Sequence, residues 1–149
     1  MDITIKNLQT KIPIRLSRIK KIAEQTFQYL GMSDVDLSIA FVSASEMKRL
    51  NAQHLKHDYV TDILTFNYRS SPKQPLEAEI IICPAVALKN AREFGDSLDN
   101  EVRLYVIHGI LHLAGYDDQC EKDIKKIRLK ESEIIDYLEQ NKKSHRVNT

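Results

Sequence analysis

The stretch His108-Gly109-Ile110-Leu111-His112-Leu113-Ala114-Gly115-Tyr116-Asp117-Asp118 closes a long apolar run and decides the fold around it. Residues 102–114 are apolar on nearly all sides, which predicts a buried helix. His108 and His112 are four residues apart and therefore lie on one side of that helix. An unsatisfied polar group in a core costs about 1–3 kcal/mol, and a shared metal ion would satisfy both imidazoles.

Two glycines in this stretch sharpen the prediction. Gly115 is expected to end the helix in a left-handed conformation, so that Asp117 or Asp118 can return to the same ion. Gly109 costs about 1 kcal/mol relative to alanine inside a helix, which predicts the close approach of a ligand or of neighbouring backbone. Gly109 also replaces the catalytic glutamate of His-Glu-x-x-His, which argues against a zinc peptidase of that type. The alternative to a metal site is a pair of core histidines bonded to backbone or water.

The bulk composition describes an ordinary globular protein. The chain has 149 residues, of which 42% are hydrophobic and 29% charged, a size and balance that suit one domain. A net charge of +1 gives no overall attraction to nucleic acid or membrane. The sequence shows neither a membrane-spanning apolar run nor a signal peptide, and two cysteines make no disulfide framework. We therefore expect a cytoplasmic protein.

Hydrophobic periodicity predicts the elements of the fold. Strands are predicted at residues 3–6 (an edge strand), 35–42, 61–68 and 79–83. Helices are predicted at residues 13–31, 43–55, 84–94, 99–114 (with Asp99 as N-cap) and 122–139. This order indicates an α+β fold, with a mixed sheet of about four strands and about five helices in one domain, residues 1–141. Residues 142–149 are predicted to form a disordered tail.

Two groups of basic residues are candidates for an RNA-facing surface, although solvated helix faces have the same composition. The first lies on the first helix and comprises Arg15, Arg18, Lys20 and Lys21. The second lies on the last helix and comprises Lys122, Lys125, Lys126 and Arg128. Acidic residues alternate with the second group, which favours a plain solvated face there.

Three blocks of the sequence resemble the YbeY family of bacterial rRNA-maturation endoribonucleases. His108-Gly-x-Leu-His-Leu-x-Gly-Tyr-Asp117 resembles the family signature His-Gly-x-Leu-His-Leu-x-Gly-Tyr-Asp-His. Leu50-Asn51 with Thr61-Asp62-Ile63-Leu64-Thr65-Phe66, and then Glu79-Ile80-Ile81-Ile82-Cys83-Pro84, are similar to two further blocks in the same order. The resemblance implies a compact α+β fold, one divalent metal ion on three ligands, and cleavage of single-stranded RNA. It also implies roles in ribosomal RNA processing and ribosome quality control.

The metal ligands that the resemblance implies are His108, His112 and Asp118, although the family has a third histidine where this chain has Asp118. Aspartate can bind zinc, the expected metal, and two histidines with one carboxylate also suit nickel, iron or manganese. Cys120 is the alternative third ligand. Asp117 is expected either to reach the ion or to accept a hydrogen bond from a ligand histidine.

A second departure concerns an arginine that the family carries where this chain has Leu55. Lys56 and His57 are its possible substitutes. The predicted catalytic set is His108, His112, Asp62 and His57, with Asp62 or the metal-activated water itself as the general base. The implied partners are ribosomal RNA, small-subunit ribosomal proteins or an Era-type GTPase, and no membrane. Two readings compete with a nuclease: a ribosome-associated assembly or binding factor of the same fold with weakened or lost catalysis, and another metal hydrolase.

Overall fold

The computed structural model describes residues 1–54 and 62–147, with side chains up to residue 142. Its four strands are β1 (Asp2–Asn7), β2 (Val35–Phe41), β3 (Ile63–Asn67) and β4 (Leu76–Ile82). Its five helices are α1 (Leu16–Leu30), α2 (Ala44–His54), α3 (Pro84–Glu93), α4 (Leu98–Leu113) and α5 (Glu121–Val147). The predicted α+β fold with four strands and five helices is confirmed over the described residues.

The strands form one mixed sheet in the order β1-β2-β4-β3, with β1 at an edge as predicted. β1, β2 and β4 run parallel, and β3 pairs antiparallel with β4. The apolar run in β4 is covered on both faces: Ile80 and Ile82 belong to the main core, whereas Ile81 packs with Met47 and Leu64 on the other side. The sheet is therefore a buried platform for the helix that carries the two histidines.

Gly109 lets α4 lie directly on this sheet. A Cβ atom at residue 109 would be 2.9 Å from Cδ1 of Ile63 and 3.1 Å from Cδ1 of Ile80. The prediction that a ligand or backbone approaches here is therefore wrong, because the close neighbours are two side chains of the sheet. This close contact sets the distance between α4 and the sheet next to His108.

The two ends of α4 differ in how well the sequence predicted them. The N-cap is Ser97, whose Oγ accepts a hydrogen bond from the Asn100 N–H at 3.1 Å, so the predicted cap at Asp99 is wrong by two residues. At the other end Gly115 has φ of +106°. The N–H of Tyr116 bonds back to the carbonyl of Leu111 at 2.9 Å, and the chain reverses there as predicted.

α5 is longer than predicted and lies across α1 and α4. Its helical backbone continues to Val147, into the range 142–149 predicted to be disordered, because no glycine or proline interrupts residues 121–147. The predicted end of the second helix at Leu55 and the predicted start of the third strand at Thr61 lie outside the described residues. None of the described helices is long and apolar enough to cross a lipid bilayer.

Candidate metal centre

The two histidines of α4 converge on one point. Their Nε2 atoms are 2.9 Å apart and their ring centroids 4.4 Å apart, with the planes at 76°. The side chains are 29% exposed for His108 and 25% exposed for His112, so both rings reach solvent from a largely apolar helix. The two rings therefore meet at one point, as a shared site would require.

Asp118 completes a three-residue cluster. The turn at Gly115 brings its Oδ2 to 3.4 Å from Nε2 of His112, and one ligand atom from each of the three residues lies within 4.8 Å of the others. Zinc with bonds of about 2.0–2.1 Å in tetrahedral geometry places its ligand atoms about 3.3 Å apart. The donor atoms and their spacing thus fit a divalent metal ion, and the half-exposed Asp118 leaves room for the cluster to adjust around it.

Glu131 of α5 holds the other side of His108. Its Oε1 lies 2.7 Å from Nδ1 of His108, and the glutamate is only 8% exposed. An Nδ1–H that donates to this carboxylate leaves the Nε2 lone pair of His108 directed at the cluster. Hydrogen bonding to Glu131 raises the pKa of the His108 imidazole, against the opposing effect of partial burial.

Sequence reasoning missed Glu131 and assigned a similar role to Asp117. The carboxylate of Asp117 instead accepts a hydrogen bond from the N–H of Asp118 at 2.9 Å and steadies the turn. The available signal was the apolar stripe of the last helix. Glu131 stands between Ile127 and Ile134 at helical spacing, and a carboxylate inside a buried stripe needs a polar partner.

The cluster opens into a cavity of about 600 Å³. Asp62 and Thr65 line it from the β3 side, and Arg128 lines it from α5. Asp62 is half-buried, and its charge is one of the influences that raise the pKa of His108. The lining of the cavity is acidic because it contains the carboxylates of Asp62, Asp118 and Glu131. Arg128 is the cation among the described residues that line it.

Of the remaining candidate residues, Cys120 is the one that the structure describes. Cys120 has an exposed thiol and is not in the cluster that the described residues form. Leu55, Lys56 and His57 lie outside the described residues. The structure therefore brings together His108, His112 and Asp118, with Asp62 in the same cavity, and adds Glu131 and Arg128.

The fold and the site define a small α+β protein with a histidine–histidine–aspartate centre suited to a divalent metal. The family model described as Endoribonuclease YbeY matches residues 4–139, and the chain belongs to that family. Endoribonuclease YbeY of Nautilia profundicola is 42% identical over 74% of this chain and 77% of its own length. The protein of the same name from Desulforamulus reducens is 31% identical over 93% and 97%. A solution structure from Thermotoga maritima matches with a TM-score of 0.63, at 30% identity over 93% of each chain.

Proposed function

We propose that this protein is a metal-dependent endoribonuclease that cleaves single-stranded RNA during ribosomal RNA processing and ribosome quality control. The observation that carries the proposal is the convergence of His108, His112 and Asp118 at the edge of a large cavity, in a chain of the YbeY family. The cavity holds both candidate ligands and candidate groups for handling a proton and a phosphate, which are the functions that phosphodiester hydrolysis needs.

The proposed ligands are the Nε2 atoms of the two histidines and the carboxylate of Asp118, and the proposed ion is zinc. A divalent ion held there supplies a Lewis acid that polarises a phosphoryl oxygen and lowers the pKa of a bound water to about 7. The carboxylate of Glu131 accepts a hydrogen bond from the Nδ1–H of His108, so that Nε2 is the ring nitrogen that faces the cluster. Asp62, on the β3 side of the same cavity, is the candidate acceptor for the proton that the attacking water loses.

Arg128 is the candidate phosphate-binding residue. It lies one turn before Glu131 on α5, lines the cavity, and brings positive charge to a wall that otherwise carries three carboxylates. A guanidinium can bind two phosphate oxygens at once and stabilise charge that develops on them. This role would otherwise belong to the family arginine whose position is Leu55 here. Lys56 and His57 are the alternative candidates for this role.

The proposed substrate determines the proposed partners and the proposed compartment. Ribosomal RNA is the proposed substrate, small-subunit ribosomal proteins or an Era-type GTPase are the proposed partners, and the cytoplasm is the proposed compartment, where bacterial ribosomes are built. A ribosome-associated factor with weakened catalysis is the second candidate. Leu55 and the half-exposed Asp118 in place of a third histidine are the observations that favour it.

Purified protein tests the proposal by its cleavage of single-stranded RNA and by elemental analysis. The wild type is expected to carry about one divalent ion per chain and to cleave, whereas His108→Ala/His112→Ala is expected to lose both properties. Equal degradation by the two preparations would reveal a contaminating nuclease and end the enzyme proposal. Full metal content without cleavage would support the binding factor.

The third ligand has its own comparison. Asp118→Asn is expected to lower metal occupancy, and Cys120→Ser is expected to leave it unchanged, because the Cys120 thiol is exposed outside the cluster. The reverse result would make Cys120 the ligand. Both residues are on the surface, so neither change should prevent folding.

A further inference from the structure

A second cavity, which the proposed function does not use, lies between α1, α4 and α5. This basic groove has a volume of about 460 Å³. Its positively charged lining residues are Arg15, Arg18, Lys21, Arg103 and Lys142. Glu139 is the acidic residue among the described residues that line it, so five cations face one carboxylate and the groove carries a net charge of about +4.

Most of this positive charge is not neutralised within the described part of the chain. Glu139 Oε1 pairs with Arg103 Nη1 at 2.6 Å. Arg15, Arg18 and Lys21 form no ion pair with the described residues. A protein whose overall net charge is +1 thus concentrates positive charge in one groove, as expected for a surface that meets a polyanion.

α5 lines both the basic groove and the metal cavity. Ile124, Arg128 and Glu131 line the metal cavity, and Leu138 and Lys142 line the basic groove. Glu131, Ile134 and Leu138 are buried on this helix between the two cavities, so a strand that enters both cavities passes around the exposed side of α5. Arg128 lies 10 residues before Leu138 and 14 before Lys142, or about 15–21 Å along the helix axis at 1.5 Å per residue.

We propose that the basic groove binds the phosphate backbone of the RNA strand a few nucleotides away from the bond that is cut. This inference rests on the proposed function and deepens it. At about 3.4 Å per nucleotide along one strand, 15–21 Å corresponds to roughly five nucleotides, and the path around α5 adds to that number. A strand that enters both cavities therefore has a phosphate in the metal cavity and further phosphates over the groove. The residues of the groove would contact phosphates and not base edges, so they would add affinity for RNA of any sequence.

The test compares the triple variant Arg15→Gln/Arg18→Gln/Lys21→Gln with a matched control, Lys48→Gln/Lys73→Gln/Lys89→Gln. The control also removes three positive charges, from exposed residues outside both cavities. Binding of a single-stranded RNA of about 20 nucleotides is measured by fluorescence anisotropy over a range of salt concentrations. Losing three phosphate contacts should lower the slope of log K against log salt by about 2 and the affinity at 0.1 M salt by roughly 10- to 100-fold.

Glu139→Gln gives a test with the opposite sign. Removing the carboxylate from the groove should strengthen binding of the same RNA, by up to roughly 5-fold at 0.1 M salt. Equal slopes and affinities for the triple variant and its control would overturn the proposal. So would binding of polyglutamate that depends on the groove while RNA binding does not, because the groove would then be a docking surface for an acidic protein. Thermal melting confirms that every variant is folded.

Cleavage assays separate this proposal from the one on which it rests. The rate for an RNA of about 20 nucleotides at subsaturating concentration should fall with affinity in the triple variant, while an RNA of roughly four nucleotides should show a much smaller difference. If the wild type cleaves neither RNA, the nuclease function fails, and the binding data still decide whether RNA occupies the groove. If the triple variant cuts the long RNA as fast as its control does, the groove plays no part in binding substrate.

Discussion

Replacing Glu131 by glutamine or by leucine is expected to weaken metal binding. The Glu131 carboxylate is 8% exposed and lies 2.7 Å from Nδ1 of His108, which makes it the partner that orients this ligand. Loss of such an outer partner typically lowers metal affinity by 10- to 100-fold, or about 1.4–2.7 kcal/mol.

The two substitutions should differ in size. Glutamine keeps an acceptor oxygen for the Nδ1–H and loses only the charge, so Glu131→Gln should cost about tenfold. Leucine removes the acceptor, so Glu131→Leu should cost about a hundredfold. Leucine also continues the apolar stripe between Ile127 and Ile134, but it leaves the Nδ1–H of His108 without its acceptor, which costs about 1–3 kcal/mol when the group is shielded from water. The melting temperature of the metal-free protein should therefore fall in Glu131→Leu and fall less in Glu131→Gln.

Competition with a chelator measures zinc affinity, and calorimetry measures the melting temperature with and without metal. Glu133→Gln is the matched control, because Glu133 lies on the same helix and pairs with Tyr29 and Lys130 instead of with His108. Wild-type zinc affinity in Glu131→Leu would refute the reasoning that this carboxylate orients a ligand. An equal loss of affinity in Glu133→Gln would refute it as well, since the effect would then be one of net charge.

Further predictions concern the ends and the packing of α4. Gly109→Ala should lower stability by about 1 kcal/mol in chemical denaturation, because strain against Ile63 exceeds the helix propensity gained, and a stabilised variant would contradict this. Gly115→Ala, at φ of +106°, should cost about 1–2 kcal/mol of stability. It should also reduce metal affinity, because the turn positions Asp118, and an unchanged affinity would show that metal binding does not depend on this turn. Ser97→Ala should cost about 1 kcal/mol with metal affinity unchanged. Chelation should lower the melting temperature of the loaded protein by an amount equivalent to about 2.7 kcal/mol at a hundredfold excess of metal over Kd, and no shift would exclude tight binding.

Local sequence signals predicted the parts of the site that are close together in the chain. The spacing of His108 and His112 fixes a shared helix face, and Gly115 marks the reversal that brings Asp118 back. Both signals act within one or two turns, so they need no knowledge of the tertiary fold.

Long-range packing decided what the sequence did not reveal. Glu131 reaches His108 because α5 packs over α4, and no local rule sets that register. Gly109 predicts the close approach of a ligand or of neighbouring backbone, but a glycine within a helix does not show which neighbour comes close, and here it is the side chain of Ile63 in β3. The basic groove likewise depends on the packing of α1 against α4 and α5. The sequence therefore predicted the basic face of the first helix but not that Arg103 and Lys142 lie beside it.

The origin of the ligands bears on how the centre could be moved to another protein. All three candidate donor atoms come from residues 108–118, so a helix with its terminal turn carries the whole candidate chelating unit. The carboxylate that selects the ring nitrogen comes from a different helix and is buried there. A transplanted segment would therefore be expected to capture ions readily and hold them loosely, and a working graft would have to recreate an inward-facing glutamate on the receiving scaffold.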